Sequence, residues 1–186
     1  DYKGALKEFN SIIKNYPKIW QAFHNRGLSK FKLGDLKGAL EDFTKAIELN
    51  ENPWAESYLQ RAYINGATGN YDDSISDFTK AIEKGLDKYS EEQAYYLRGL
   101  AKSILEDFKG SISDFSKVIN LNPNNFEAYN ERGSNQELIG NIISAKDDYQ
   151  RALKIKPNNE NSLNFLENLD KKKGKLISEI YKKIEI

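Results

Sequence analysis

Residues 125–157, NFEAYNERGSNQELIGNIISAKDDYQRALKIKP, decide the fold. An aromatic residue, Tyr129, precedes Arg132 by three positions, and Asp148 follows the same arginine by sixteen. Gly140 separates two segments of helical character. Because glycine readily adopts the left-handed conformation that ends many helices, the stretch predicts two helices joined by a tight turn.

The same order of residues occurs four times along the chain. The arginines are 35, 37 and 34 positions apart, and an aspartate follows each of them sixteen positions later. The recurring residues are the aromatics Phe23, Tyr58, Tyr95 and Tyr129, the arginines Arg26, Arg61, Arg98 and Arg132, and the aspartates Asp42, Asp77, Asp114 and Asp148. In the second helix of the first unit, Ala39, Phe43, Ala46 and Ile47 have the spacing of an apolar helical face. This period is typical of stacked repeats rather than of a single globule.

These residues resemble the tetratricopeptide repeat. The fourth unit matches the pattern of that family at Tyr129, Gly133, Gly140, Ala145, Tyr149, Ala152 and Pro157. The resemblance implies an all-α fold, a right-handed superhelical solenoid of antiparallel helix pairs. Four positions depart from the pattern, namely Ala62 in place of Gly, Ser74 and Ser111 in place of Ala, and Glu106 in place of the turn Gly.

The repeats divide the chain into three parts. We expect residues 1–17 to form the second helix of a truncated unit, residues 18–157 to form four complete units, and residues 158–186 to form a C-terminal capping helix pair interrupted at Gly174. The third junction is longer than the others, and we expect Gly85 to end one helix there and Ser90 with Gln93 to cap the next.

The N-terminal helix has no partner helix before it in the sequence. The chain also has no Met, so we expect the natural protein to continue upstream with at least one more helix. The open face of residues 1–17 is a candidate surface for a homodimer, because a repeat needs a neighbour to cover its stacking face.

Composition excludes several functional classes. The chain has 186 residues, 28 basic against 28 acidic side chains and no Cys. Neutrality argues against a nucleic-acid partner, and the absence of Cys excludes disulfides and thiolate chemistry. No apolar stretch is long enough for membrane insertion, which predicts a soluble chain, cytoplasmic or periplasmic. The run of lysines at 171–173 with Lys175 is typical of a solvated helix end, with contact to an anionic surface as the alternative.

The recurring Arg and Asp residues predict a salt bridge in every unit. The expected pairs are Arg26 with Asp42, Arg61 with Asp77, Arg98 with Asp114, and Arg132 with Asp148. Guanidinium and carboxylate groups match in a bidentate contact. Binding of an anionic ligand is the alternative, but identical repetition in every unit favours the structural role.

In the family that this chain resembles, the first helix of each unit lines a concave groove, so the resemblance implies a partner-binding surface there. Its candidate residues are His24, Asn25, Leu28, Leu59, Gln60, Tyr63, Tyr96, Leu100, Asn130 and Glu131. The same side also carries Glu56, Gly66, Gln93, Leu97, Ile104, Glu127 and Glu137. Its middle is apolar, which favours contact with a ligand over mere packing between neighbours, and its C-terminal end is acidic.

The groove pattern also indicates the kind of partner. One branch of the family binds a C-terminal carboxylate through Lys and Asn residues, and that clamp is missing here. We therefore expect an extended or helical segment with apolar anchors, basic where it meets the acidic end.

No pattern of residues indicates an enzyme. The only histidine, His24, lies within a helix, and we interpret it as a polar groove residue because it has no nucleophile or metal-ligand spacing around it. The sequence predicts no catalytic residue, no metal site and no cofactor. The favoured function is a protein–protein interaction scaffold. A structural assembly element that associates through its ends, or a regulatory module of a larger protein, remains the alternative.

Overall fold

The computed structural model describes residues 1–184, with the side chains of all of these except residues 161, 173 and 176–184. This part of the chain contains α-helices and no strands, which confirms the all-α prediction. The helices are α1 (Tyr2–Asn15), α2 (Trp20–Lys32), α3 (Leu36–Leu49), α4 (Ala55–Ala67), α5 (Tyr71–Lys84), α6 (Lys88–Ile104), α7 (Phe108–Leu121), α8 (Phe126–Leu138), α9 (Ile142–Ile155) and α10 (Glu160–Ile184). Within these residues, none of the helices is both long and apolar enough to cross a membrane.

The helices form two compact units. The first runs from Asp1 to Leu105 and contains α1 to α6, and the second starts at Glu106 and contains α7 to α10. Within each unit, every helix packs against the next one in the chain. Each unit is therefore an array of helices stacked in sequence order, as the repeat period predicts.

Tight turns connect the two helices of a pair. Gly34, Gly69 and Gly140 have φ angles of 85°, 82° and 83°, in the left-handed region that the sequence predicts for them. At the equivalent turn, Glu106 has a φ of 62°. An L-residue with a β-carbon is disfavoured in this conformation by roughly 1–2 kcal/mol, so the turn before α7 is strained where the other three are not.

In two of the pairs, α2 with α3 and α8 with α9, the core is an aromatic ring set against a glycine. Phe43 is fully buried, and a β-carbon added to Gly27 would lie 3.0 Å from its ring. A β-carbon at Gly133 would lie 2.8 Å from the ring of Tyr149. Only glycine lets the two helices approach this closely without displacing the ring.

One departure from the family pattern is accommodated by a hydrogen bond. Ser74 replaces a small apolar residue at a fully buried position of α5, and its Oγ donates to the carbonyl oxygen of Ala62 at 2.9 Å. The buried hydroxyl group is therefore satisfied and does not disturb the helix pair.

Three of the four arginines bind the aspartate of their own pair through two parallel bonds. Arg26 donates from Nε to Asp42 Oδ2 at 2.8 Å and from Nη2 to Asp42 Oδ1 at 2.6 Å. The equivalent bonds, of 2.7 or 2.8 Å, join Arg61 to Asp77 and Arg132 to Asp148. The hydrogen bond to the buried aspartate raises the pKa of each of these arginines. The fourth predicted pair, Arg98 with Asp114, has one residue in each unit and stays a prediction.

The remaining guanidinium nitrogen reaches back to the preceding pair. Nη1 of Arg26 donates to Asn10 at 2.8 Å, that of Arg61 to Thr44 at 3.1 Å, that of Arg98 to Thr79 at 2.9 Å, and that of Arg132 to Ser116 at 3.0 Å. Every acceptor directly follows the aromatic residue of its own helix. We call this three-way arrangement the arginine fork. It links two consecutive helix pairs and uses three of the five N–H donors of the guanidinium group.

Two sequence-based boundaries are wrong. At the third junction Asp87, and not Ser90, caps α6, because its side chain accepts from the backbone N–H groups of Tyr89 and Ser90. At the C-terminus a single helix, α10, replaces the predicted pair and continues through Gly174. A glycine inside a helix costs only about 1 kcal/mol, and no Pro or Asn beside it supplies a turn.

The two terminal helices differ in burial. In α10, Leu169 and Phe165 cover the last pair, with the ring of Phe165 stacked on that of Tyr149 at 4.8 Å. In α1 no residue is buried, and Phe9 is only half-buried. The stacking face of α1 is therefore partly open to solvent.

The arginine fork predicts a stability effect. Arg61→Lys removes the bidentate contact to Asp77 and the bond to Thr44, because an ammonium group cannot span the three acceptors. We expect a loss of about 2 kcal/mol in the free energy of unfolding, measured by urea denaturation. The matched control is Arg151→Lys at an exposed position of α9. Equal stabilities for the two variants would contradict a structural role for the fork.

Candidate functional site

Most of the predicted groove residues are accessible on the first helix of a pair. In the first unit, Asn25 is exposed, whereas Leu28, Gln60, Tyr63, Tyr96 and Leu100 are half-buried. In the second unit, Glu131 is half-buried on α8. These residues remain candidates for contact with a partner.

Three predicted groove residues are buried, and the assignment is wrong for them. Leu59, His24 and Asn130 are only 2%, 3% and 7% exposed. Leu59 belongs to the apolar core around Tyr58 and Phe78. A helical period indicates which side of a helix a residue occupies, but it does not indicate how deeply the neighbouring helix covers that side.

His24 and Asn130 have equivalent structural roles. His24 Nδ1 is hydrogen-bonded to Ser57 Oγ at 2.9 Å, and Ser162 Oγ donates to Asn130 Oδ1 at 2.8 Å. Both bonds connect the first helix of one pair to the next helix pair or cap. The ring of Trp54 also lies 5.8 Å from that of His24, and burial lowers the pKa of the histidine. His24 is thus a neutral interface residue rather than a polar group in a groove.

An apolar pocket lies between α4, α5 and α6 in the first unit. Its volume is about 340 Å³. The residues that shape it include Tyr63, Gly66, Ala67, Leu97, Leu100 and Ile104. Ala67 and Ile104 are exposed, so the pocket opens to solvent at their end of the helices. We call this cavity the α4–α6 pocket.

Two small residues create the α4–α6 pocket. Phe31 follows Arg26 by five positions and packs against Ala39, Phe43 and Ile64. One repeat later, Gly66 takes the position of Phe31. Ser74, Phe78 and Ala101 take the positions of Ala39, Phe43 and Ile64, in that order. All four of these residues line the pocket. The volume that a phenyl ring and an isoleucine fill between the first pair and α4 is therefore empty between the second pair and α6.

Only part of the predicted groove meets in this pocket. Of the predicted groove residues, Tyr63 and Leu100 line the pocket, whereas Gln60 and Tyr96 do not. Sequence reasoning missed Ala67 and Tyr71, which lie at the end of α4 and the start of α5. The signal that could have found the pocket was Gly66, at the register that Phe31 occupies in the preceding unit.

The side of α4 and α6 beyond Tyr63 is acidic. Burial raises the pKa of the Tyr63 hydroxyl to about 12, with a further contribution from the nearby carboxylates of Glu56 and Asp87. Gln60 Nε2 donates to Glu56 Oε1 at 2.5 Å. Among the side chains that the structure describes, no lysine or arginine forms an ion pair with Glu56 or Asp87. Within the part of the chain that the structure describes, this acidic end therefore has no ion-paired cation.

The acidic residues of the second unit are partly neutralised. Lys172 of α10 forms an ion pair with Glu137 of α8. Burial raises the pKa of Glu131, which stabilises its uncharged form relative to a solvent-exposed glutamate. Because Lys172 pairs with Glu137, the predicted acidic end of the groove at Glu127, Glu131 and Glu137 carries less free charge than the sequence suggests. Within the described residues, no group of His, Cys, Asp or Glu side chains is arranged to hold a metal ion.

Comparison with known proteins places these features in a family. Models described as tetratricopeptide repeat match residues 20–53, 55–83, 92–125 and 126–159, which together exceed half of the chain. Tetratricopeptide repeat protein 36 of Danio rerio is 44% identical over 50 residues, which cover 27% of this chain and 27% of that protein. The chain therefore spans about a quarter of the length of that relative.

Two solved structures illustrate the likeness. YrrB, described as a TPR protein with an unusual peptide-binding site, superposes with a TM-score of 0.79 at 15% identity, over 88% of this chain and 82% of YrrB. The first TPR of Spaghetti (RPAP3), bound to the HSP90 peptide SRMEEVD, has a TM-score of 0.59 at 27% identity, over 64% of this chain and 93% of that one. The likeness to YrrB shows the fold alone.

The buried histidine predicts a pH-dependent stability. Burial lowers the pKa of His24 below its ordinary value of 6.5, so the unfolded chain binds the proton more readily than the folded one. Stability is full above pH 6.5 and falls as the pH drops below it, by up to about 1.4 kcal/mol per pH unit for one proton.

The measurement is urea unfolding of the wild type and His24→Asn between pH 5.5 and 7.5, a window around the reference pKa of 6.5. Asparagine reproduces the Asn130–Ser162 arrangement and does not titrate. We expect the slope in this window to be absent from His24→Asn. The same slope in both proteins would contradict the assignment.

Proposed function

Since the chain belongs to the tetratricopeptide repeat family, we propose that it is a protein-interaction scaffold that binds a segment of a partner protein on the accessible face of α4 and α6. The observation that carries this proposal is the α4–α6 pocket. It is an apolar cavity of about 340 Å³ that opens to solvent, within the size range of pockets that bind ligands.

The shape of the pocket supports a side chain of a peptide as its occupant. Tyr63 forms an aromatic wall and packs edge-to-face on Phe78, with the ring centroids 5.5 Å apart. A tyrosine held in this way presents a large contact area without further loss of side-chain freedom. The Spaghetti domain, a relative of this chain, is bound to a peptide, which supports the same class of ligand here.

No catalytic step is part of the proposed function. The only histidine is buried at a helix interface with Ser57. Its Nδ1 is already hydrogen-bonded, and it does not face the α4–α6 pocket. The hydroxyl group of Ser74, which lines the pocket, donates its hydrogen to the carbonyl oxygen of Ala62 and not to a general base.

We expect a loss of peptide binding when the side chains that line the α4–α6 pocket are truncated. The probe is a fluorescently labelled peptide enriched from a phage-displayed random library on the whole chain. We expect Tyr63→Ala/Leu100→Ala to weaken its binding at least about thirtyfold, the effect of truncating residues at the centre of an interface.

The control variant is Tyr16→Ala/Leu138→Ala, which removes the same residue types at exposed positions outside the pocket. Fluorescence polarisation gives the dissociation constants, and circular dichroism confirms that both variants are folded. Equal affinities for the two variants would exclude the pocket as the binding surface.

A second candidate function is self-association through α1. Its specific support is that α1 contains no buried residue, although Leu6, Phe9 and Ile13 are apolar and only half-buried. In the equivalent helix α3, Ala39 and Phe43 are fully buried by the neighbouring helices. A second copy of the chain that packs against α1 would bury these apolar side chains.

Light scattering of the whole chain over a range of concentrations tests this second function. We expect a dimer that Leu6→Lys dissociates, because a buried ammonium group at the interface is strongly unfavourable. Glu8→Lys, at an exposed position of the same helix, serves as the control. A wild-type protein that remains monomeric at high concentration would eliminate self-association through α1.

A further inference from the structure

We infer that the segment bound by the α4–α6 pocket carries a lysine or arginine about four positions away from the apolar side chain that fills the pocket. The inference rests on the proposed function and specifies the chemistry of its partner. Its basis is the juxtaposition, within the first unit, of an open apolar pocket and an acidic end that has no ion-paired cation among the described residues.

The apolar part of the site sets the anchor. Gly66 and Ala101 leave space for a side chain about as large as the Phe31 ring and part of Ile64 that fill the equivalent space one repeat earlier. The pocket wall is mainly carbon, from residues such as Leu97, Leu100 and Ile104. A leucine, methionine or phenylalanine of the partner fits this volume and loses its contact with water there.

The acidic part of the site sets the charge. Glu56 lies in the first turn of α4 and Asp87 caps the start of α6, so both carboxylates lie at the end of these helices that is opposite to Gly66. Glu56 precedes Tyr63 by seven positions, or two helical turns, so the two residues share a face of α4. Asp87 caps α6, which packs beside α4. A cation on the partner is the complement of two carboxylates that lack an ion pair in the described part of this chain.

The length of α4 between its two ends sets the distance between the apolar anchor and the cation of the partner segment. Glu56 and Gly66 are ten positions apart on α4, which corresponds to about 15 Å along the axis. An extended peptide rises about 3.3 Å per residue, so it covers this distance in about four residues. Tyr63 lies between the two ends, and its ring contacts the backbone of the segment that joins the anchor to the cation.

The same charges exclude another class of ligand. A peptide with several carboxylates, such as the SRMEEVD segment bound to the Spaghetti domain, would bring like charges to Glu56 and Asp87. Like charges brought together at an interface disfavour the complex. The first unit is therefore selective for basic over acidic segments.

The experiment compares enriched peptides and charge variants on the whole chain. Selection from a phage-displayed random library is expected to enrich peptides with a large apolar residue and a Lys or Arg about four positions from it, in one chain direction or the other. Glu56→Gln/Asp87→Asn removes both charges, and asparagine preserves the cap of α6 because it is a good N-cap residue.

We expect this double variant to bind the enriched peptide about fivefold more weakly and with a smaller dependence on salt. Glu41→Gln/Asp72→Asn removes the same charges at exposed positions of α3 and α5 and should keep the affinity. Replacing the basic residue of the peptide by glutamine should give the same loss for the wild type and no further loss for Glu56→Gln/Asp87→Asn.

The outcomes distinguish peptide binding in the pocket from the requirement for a basic residue in the peptide. Enriched peptides that lack a basic residue, or equal affinities for the two double variants, would overturn the inference and leave pocket binding intact. Ala67→Phe, which fills the mouth of the pocket, should abolish binding of any enriched peptide. If peptides bind this variant as well as the wild type, or if selection enriches none, both the inference and the proposed groove are overturned.

Discussion

The arginine fork is the interaction on which the arrangement of the helices depends. Two of its nitrogens bind the buried aspartate within a pair, and the third binds an amide or hydroxyl oxygen of the preceding pair. A buried carboxylate without a partner would be strongly destabilising, so the aspartate requires the guanidinium group. Because one planar group makes all three bonds, a shift of either neighbouring helix breaks at least one of them. The fork therefore fixes the position of the two helices of a pair against each other and against the preceding pair.

The sequence predicts this scaffold better than it predicts the surface. The sixteen-residue spacing between Arg and Asp places them side by side once a tight turn joins two helices, and the turn is marked by Gly34, Gly69 and Gly140. The third bond of the fork also has a sequence signal, since an Asn, Thr or Ser follows the core aromatic in Asn10, Thr44, Thr79 and Ser116. That signal becomes meaningful only when the neighbouring pair is known to lie within reach.

Depth of burial is what the pattern of residues does not determine. His24 and Leu59 share a side of their helices with Asn25 and Gln60, yet the next helix covers the first two and leaves the others accessible. The continuous helix α10 shows that a single Gly does not by itself predict a helix end. The free energy cost of Gly174 inside the helix is smaller than the gain from the helix-forming residues on both sides of it. The α4–α6 pocket depends on residues from three helices, so it could be recognised only by comparing equivalent positions of two repeats.

The proposed binding pocket of this scaffold exists because two side chains are smaller than their counterparts one repeat earlier. Phe31 and Ile64 fill the interface between the first pair and α4, whereas the smaller Gly66 and Ala101 take their places between the second pair and α6. The cost is lost packing in the free protein, which a bound side chain restores. A repeat array can thus change what it binds at one pair while the forks preserve the geometry of the others.

The short reach of the fork has a consequence for the speed of folding. Its bonds join residues only 16 to 19 positions apart in the sequence. Contacts between residues so close in the chain require little loss of chain entropy before they form, and proteins rich in such contacts fold fast. Each helix pair can begin to fold before distant parts of the chain have met, so structure can start at any pair and spread to its neighbours. The guanidinium group that fixes the arrangement of the helices therefore also allows neighbouring helices to assemble without contacts to distant parts of the chain.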